Sequence, residues 1–278
     1  MADTVHNSAD ASATVEDWCT RFILTTDLAE KLAPGPRPAA FRADSRSVYP
    51  LRIERPGRPP ELRLLARAEK MPRRGALAHA HKRAELFHTF AHHELQAAEL
   101  MAWALLAFPD TPRAFRVGLL GILDDELRHL AAYLGADVMH ATGVRFGDHP
   151  VRDWFWDRVP LAATEAHFVA VMGMGFEGGN LDHTARYTAL FREHGDEDGA
   201  RRLEAVGEEE VPHVRFALHW FERWTGGREF AAWCAHLPPP LSPVTMRGPA
   251  LDDQARARAG YPPEFVERLR GWTLDSVP

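Results

Sequence analysis

Cysteine is nearly absent from this 278-residue chain, which carries only Cys19 and Cys234. Two such residues build neither a disulfide framework nor a cysteine zinc site. They suit a reducing compartment, so a cytoplasmic location is expected. No apolar run is long enough to cross a bilayer. The opening MADTVHNSADASATVEDW lacks the basic start and apolar stretch of a secretory signal, so no membrane partner is expected. An excess of positive charge is also missing. The net charge is -6, which counts against a generally basic nucleic-acid binder. Lysine occurs only at Lys31, Lys70 and Lys82, and arginine supplies the remaining positive charge. That bias reads as compositional background before it reads as phosphate binding. Hydrophobic residues make up 45% and charged residues 26%, the balance of an ordinary globular protein.

Proline and glycine divide the chain. Residues 1–13 are small and polar, and are expected to be disordered. Residues 14–77 read as an N-terminal helix, Val15 to Leu32, followed by a Pro/Arg-rich arm (PGPRP, RPGRPPELR, MPRRG) that cannot be a long helix. The arm is expected to wrap on the rest of the chain. Glu54, Glu61 and Glu69 interrupt its basic residues and weaken an RNA-binding alternative. Residues 78–236 have helical periodicity, with long helices expected at roughly 78–107, 112–141, 161–194 and 198–225 and a shorter one near 227–236. Pro109-Asp110-Thr111-Pro112 and His194-Gly195-Asp196 are turns, and 142–160 is a longer connection. The expected fold is therefore all-α: two helical hairpins joined by one long crossover, the connectivity of a ferritin-like four-helix bundle. Residues 237–278 form a C-terminal extension with a short helix near 262–271.

Two Glu-x-x-His steps lie in these helices, Glu126-Leu-Arg-His129 and Glu210-Val-Pro-His213. Residues three apart share a helix face, so each step offers one carboxylate and one imidazole together. Each has an upstream glutamate in its hairpin partner: Glu94 lies 32 residues before Glu126, and Glu177 lies 33 before Glu210. The first pair is centred on Asp110 and the second between Glu193 and His194, both at turns. Each pair should therefore meet level, about 24 Å from its hairpin end. Three of the glutamates sit in apolar stripes: Phe87, Ala91, Glu94, Ala98; then Leu119, Ile122, Glu126, Tyr133; then Leu203, Val206, Glu210, Ala217. Buried carboxylates are costly unless paired or metal-bound, and four converging ones call for cations. The candidate metal ligands are Glu94, Glu126, His129, Glu177, Glu210 and His213. Mixed carboxylate and imidazole donors suit two iron ions, with Fe/Mn or Mn/Mn as alternatives. Asp125, Arg128 and Glu209 are candidates for orienting the histidines from outside. Glu99 lies off the stripe and reads as structural. His92 and His93 read as packing residues, and Tyr133 as core first and redox-active second.

Gly173-Met-Gly175-Phe-Glu-Gly178-Gly179 surrounds Glu177 with glycine, which is unfavourable inside a helix. Room for a substrate, a bulged helix and close helix packing all explain it. Pro212, inside the second Glu-x-x-His, should kink its helix.

The segments HTFAHHELQAAELMAW, DDELRHLAAY, GFEGGNLD, EEEVPHVRFALHWF and MRGPALDDQARARAGY resemble an uncharacterised bacterial ferritin-like family, the domain of unknown function numbered 455 (DUF455). The resemblance covers roughly residues 15–265. It implies a ferritin-like bundle with the same six dimetal ligands. The chain departs from the family pattern at Glu209-Glu210, where Asp-Glu is usual, and at Pro212, where glycine is common.

Three functions follow in order. The first is a di-iron oxidase or hydroxylase acting with dioxygen, an electron donor and a small-molecule substrate, for which a homodimer is one compatible assembly. The second is a ferroxidase or iron-handling protein, although the long arm and tail are not what a compact shell subunit needs. The third, an RNA-modifying hydroxylase using the arginine-rich arm, is disfavoured by the overall acidity.

Overall fold

The structure, a computed structural model, describes residues 13–42, 50–66 and 72–273. The expected disordered terminus lies, but for Ala13, outside them. The chain is all-helical, and among the described residues the extended backbone makes only an isolated bridge, Leu64 to Val151. Two short helices, α1 (Val15–Leu24) and α2 (Leu28–Leu32), precede the arm. A long pair follows, α3 (Ala80–Ala107) and α4 (Arg113–Leu134), then the short α5 (Asp137–Thr142). After the crossover, α6 (Glu165–Phe168), a π-helical segment (Val169–Glu177) and α7 (Gly178–Glu193) run on without a break. Then come α8 (Glu197–Thr225), α9 (Phe230–Ala235), α10 (Asp253–Ala259) and α11 (Pro263–Gly271).

The two long hairpins pack α3 on α4 and α7 on α8, and α8 also lies against α4 and the π segment. Their boundaries follow local chemistry. Pro112 precedes α4, and Asp196 caps α8 by accepting from the Gly199 N–H at 2.9 Å. Gly226 ends α8 with φ 85°, a conformation that glycine adopts without strain. The apolar stripes read from the sequence are buried throughout, and they belong to one core running from Val15 to Leu269.

Two boundaries and one element differ from expectation. The helix expected over Val15–Leu32 breaks at Thr25, because Asp27 caps a new helix by accepting from the Ala29 and Glu30 N–H groups. The second long helix stops at Leu134, not near 141, with Gly135 at its end and α5 set apart. Helix α10 was not expected, since it is short and flanked by proline and glycine.

The arm lies on the helices, held by main-chain bonds from Gly57 N to Ile23 O (2.8 Å) and from Leu51 N to Leu106 O (3.0 Å). A Cβ at Gly57 would fall 2.1 Å from the Leu24 carbonyl oxygen, so only glycine lets the arm approach α1. The arm's arginines bond the chain itself. Arg52 donates to the Ala162 and Ala163 carbonyls, Arg55 meets Asp157, and Arg58 meets Glu99 and Asp153.

The C-terminal extension is anchored at Asp182 on α7. Its carboxylate accepts from the Gly248 and Asp252 N–H groups and from Nε and Nη2 of the Arg256 guanidinium, at 2.7–3.0 Å. Both side chains are fully buried. Removing one partner strands the other charge away from water. Asp182→Ala should therefore cost about 3–5 kcal/mol, read by chemical denaturation, and should expose residues after Leu237 to limited proteolysis. Unchanged stability and an unchanged digest would show that the extension is held by its apolar contacts alone.

Candidate metal centre

Each long helix delivers one glutamate to the same buried place. Glu94 comes from the middle of α3, Glu126 from α4, Glu177 from the last residue of the π segment and Glu210 from α8. All four are nearly inaccessible, at 5%, 0%, 4% and 0% exposure. His129 and His213, one turn after Glu126 and Glu210, are buried beside them. The structure thus brings together all six residues singled out from the sequence.

Their donor atoms form two overlapping groups. One is Glu94, Glu126, His129 and Glu210; the other is Glu126, Glu177, Glu210 and His213. Within each group one donor atom per residue lies within 4.8 Å of all the others, a spacing that could hold a metal ion. Glu126 and Glu210 belong to both groups. The Nδ1 atoms of both histidines face inward: His213 Nδ1 lies 3.1 Å from Glu126 Oε1 and 3.2 Å from Glu210 Oε2, and His129 Nδ1 lies 3.5 Å from Glu126 Oε2. Both Glu126 oxygens, His129 Nδ1 and Glu177 Oε1 are buried without a well-formed hydrogen bond. Orphaned polar atoms at such density are rare in a protein interior, and here they all point at one another.

The electrostatics record the crowding. Burial, then the charge of Glu126, raises the Glu94 carboxyl well above its usual range. Burial and the charges of Glu210 and Glu126 do the same to Glu177. Burial opposes ionisation of Glu126 as well, but the close imidazoles of His129 and His213 outweigh it and hold this carboxyl low. Burial would lower His129, yet its hydrogen bond and charge interaction with Glu126 lift it to about 9. His213 is raised too, against burial, by hydrogen bonds to Asp125, Glu126 and Glu210. Without a cation, the site balances its negative charge by keeping protons.

The outward nitrogens are held in a crossed pattern. His129 on α4 meets Glu209 of α8 (Nε2 to Oε2, 2.9 Å), and His213 on α8 meets Asp125 of α4 (Nε2 to Oδ2, 3.0 Å). Each acid thus orients the histidine of the opposite hairpin and leaves that histidine's Nδ1 facing the glutamates. Arg128 bridges Asp125 and Glu209 from the solvent side.

Glu177 needs the most support. Two carbonyls of the π segment accept from side chains that follow α8: Trp233 Nε1 of α9 donates to the Ala170 carbonyl at 2.9 Å, and the Tyr261 hydroxyl of the C-terminal extension to that of Met174 at 2.6 Å. The glycines make room for this packing. A Cβ at Gly173 would lie 2.2 Å from the Ala217 Cβ, and one at Gly178 2.4 Å from the Tyr261 hydroxyl. The segment is therefore both bulged and closely packed. Helix α8 runs on through Pro212.

Other candidates fall elsewhere. Glu99 faces away, fully buried in an ion cluster with Lys31 and Arg58 (2.7 Å each), and accepts from Trp156 Nε1. His92 bonds Asp153 at 3.2 Å. Tyr133 is buried and stacked on Phe87, and burial, with the charge of Glu94, holds its phenol well above the usual range. Sequence reasoning missed Asn180, which donates from Nδ2 to Glu210 Oε1 at 2.9 Å. Its place three residues after Glu177 was the available signal. Room for a substrate, one reading of the glycines, is present as a cavity of about 550 Å³ that reaches Glu94 and Glu177 with Gly175 and Gly179 in its lining, but its walls of Phe90, Trp154, Phe155, Phe176 and Tyr187 were not foreseen. His93 lines it, its ring tilted against that of Phe155.

Among the described residues, no helix is long and apolar enough to cross a membrane. No curated protein and no solved structure matches the chain significantly. One family does, over residues 14–267, and these include all six buried donors and the extension that braces them. The chain belongs to that family, described as protein of unknown function (DUF455).

Proposed function

We propose that the two hairpins are a ferritin-like four-helix bundle and that the protein is a di-iron oxidase or hydroxylase acting on a small molecule. Glu94, Glu126, His129, Glu177, Glu210 and His213 would hold the two ions, with Fe/Mn or Mn/Mn as the other pairings that this donor set accepts. The observation that carries the reading is the pair of overlapping donor groups sharing Glu126 and Glu210, with several of their atoms buried and unpartnered. Bound iron would supply activation of dioxygen with electrons from an external donor. The rest is the work of the chain's own residues. Glu209 and Asp125 fix the imidazoles, Arg128 neutralises those acids, and Asn180 holds one oxygen of Glu210. The aromatic walls keep water from the face carrying Glu94 and Glu177 and leave room for an organic substrate. That cavity favours substrate oxidation over iron storage, for which it has no use. The engagement of Arg52, Arg55 and Arg58 within the chain leaves little of the arm for RNA.

Elemental analysis is the direct test. The wild-type protein, purified or reconstituted anaerobically with ferrous iron, should carry about two ions per chain, as dimetal bundles do, and Glu126→Ala combined with His213→Ala should carry none. Glu209→Ala should weaken binding by about 10- to 100-fold through the loss of histidine orientation. A folded wild-type protein that takes up no iron or manganese would sink the proposal.

The proton load gives a second test. His129 is raised from its ordinary 6.5 to about 9 in the metal-free protein. Across that interval the folded state keeps a proton that the unfolded state has released, so stability falls as pH rises. The raised Glu94 and Glu177 carboxyls act in the same direction. The metal-free protein should lose thermal stability between about pH 6.5 and 9. The iron-loaded protein, its donors deprotonated by metal, should not, and loading should release protons. Parallel pH profiles for the two forms would contradict this.

A further inference from the structure

Charges of both signs line the cavity, the acidic ones deeply buried and the basic ones nearer solvent. The acidic residues are Glu94 and Glu177. The basic ones are Arg186 and Arg247. Neither arginine has a carboxylate within ion-pair distance among the described residues, although most arginines of this chain do. Arg186 is exposed and lies over the ring of Tyr187, 5.4 Å from its centroid. Arg247 is half-buried and makes only long contacts, 3.4 Å each, to the Gly248 and Trp272 carbonyls, while its Nε is buried with no partner. A guanidinium in that state has desolvated donors that a ligand oxygen could satisfy. The backbone of Arg247 is fixed, because its neighbour Gly248 donates to the Asp182 carboxylate and Gly179 lies 3.6 Å from Arg247 N at its Cβ position.

We propose that this cavity takes a monoanionic organic acid with an apolar, ring-sized body, its carboxylate held by Arg247 and Arg186 and its far end turned toward Glu94 and Glu177. The aromatic walls suit the body, and the two guanidiniums in the lining draw the carboxylate to themselves. The orientation is thereby set by the arginines. The spacing limits length: Arg186 follows Glu177 by nine residues of helix, about 14 Å along the axis. An acid with one ring and a short chain, or a medium-length alkyl acid, spans that distance with its reactive carbon inward. Arginine is suited to this task because its planar fork matches a carboxylate.

The orientation toward the donors rests on the dimetal reading; the preference for an acid does not. The test is calorimetric binding of 4-phenylbutanoate and its uncharged amide to the full chain, metal-free and iron-loaded. The acid should bind at least about tenfold more tightly than the amide, the worth of one partly desolvated ion pair. Arg247→Gln and Arg186→Gln should each reduce that preference and leave amide binding unchanged. Arg186 is exposed, so its variant remains informative even where Arg247→Gln disturbs the fold. Equal affinity for acid and amide, a preference undiminished in Arg186→Gln, or no binding of either probe would overturn the proposal. Acid-selective binding by a protein that never takes up iron would leave this cavity assignment standing and remove the dimetal function. Iron uptake without acid selectivity would do the reverse.

Discussion

Four carboxylates brought into one dry space repel one another, and much of the structure is arranged around that repulsion. Unpaired, each would be expensive to bury. The chain offers two imidazoles as the nearest relief, and the raised His129 and His213 and the raised Glu94 and Glu177 are the two sides of that balance. Arg128 stands outside and offsets only the outer acids. A pair of divalent cations would resolve what protons resolve incompletely. The fold therefore holds its donors close together at a standing electrostatic cost, and aromatic packing around Tyr133, Phe87 and Phe191 helps to keep them there.

Much of this arrangement was readable before any coordinates. Helix spacing placed Glu126 and His129 on one face, and counting from the turns placed Glu94 level with Glu126 and Glu177 level with Glu210. Those deductions need only the rise and period of a helix, which vary little. Pro109 to Pro112 and His194 to Asp196 marked the turns because proline and glycine restrict or free the backbone locally. What could not be read depends on contacts between distant segments. The crossed pairing of Asp125 with His213 and Glu209 with His129 requires knowing how one hairpin docks on the other. Local adjacency suggests only that each acid serves its own helix.

The π segment shows the same limit. Its glycines advertised an irregularity, and three explanations were open from composition alone. Choosing among them needed Trp233 and Tyr261, which lie far along the chain and donate to the Ala170 and Met174 carbonyls. The walls of the cavity were equally hidden, since they come from α3, the crossover, the π segment, α7 and the C-terminal extension. Glu99 was legible for the opposite reason. It lay off the apolar stripe, and it is found facing Lys31 and Arg58 instead.

The bracing of the π segment also bears on the order in which the protein is made. Every donor at the centre precedes Thr225, whereas Trp233, Arg256 and Tyr261 are synthesised afterwards. A nascent chain that has just finished α8 holds all six donors, but not the Trp233, Tyr261 and Arg256 side chains that bond to the helix carrying Glu177. On the ribosome the N-terminal hairpin can assemble first. The packing around Glu177 is completed when the last segment folds back, so the surroundings of the donor cluster are finished with the tail and not with the last donor.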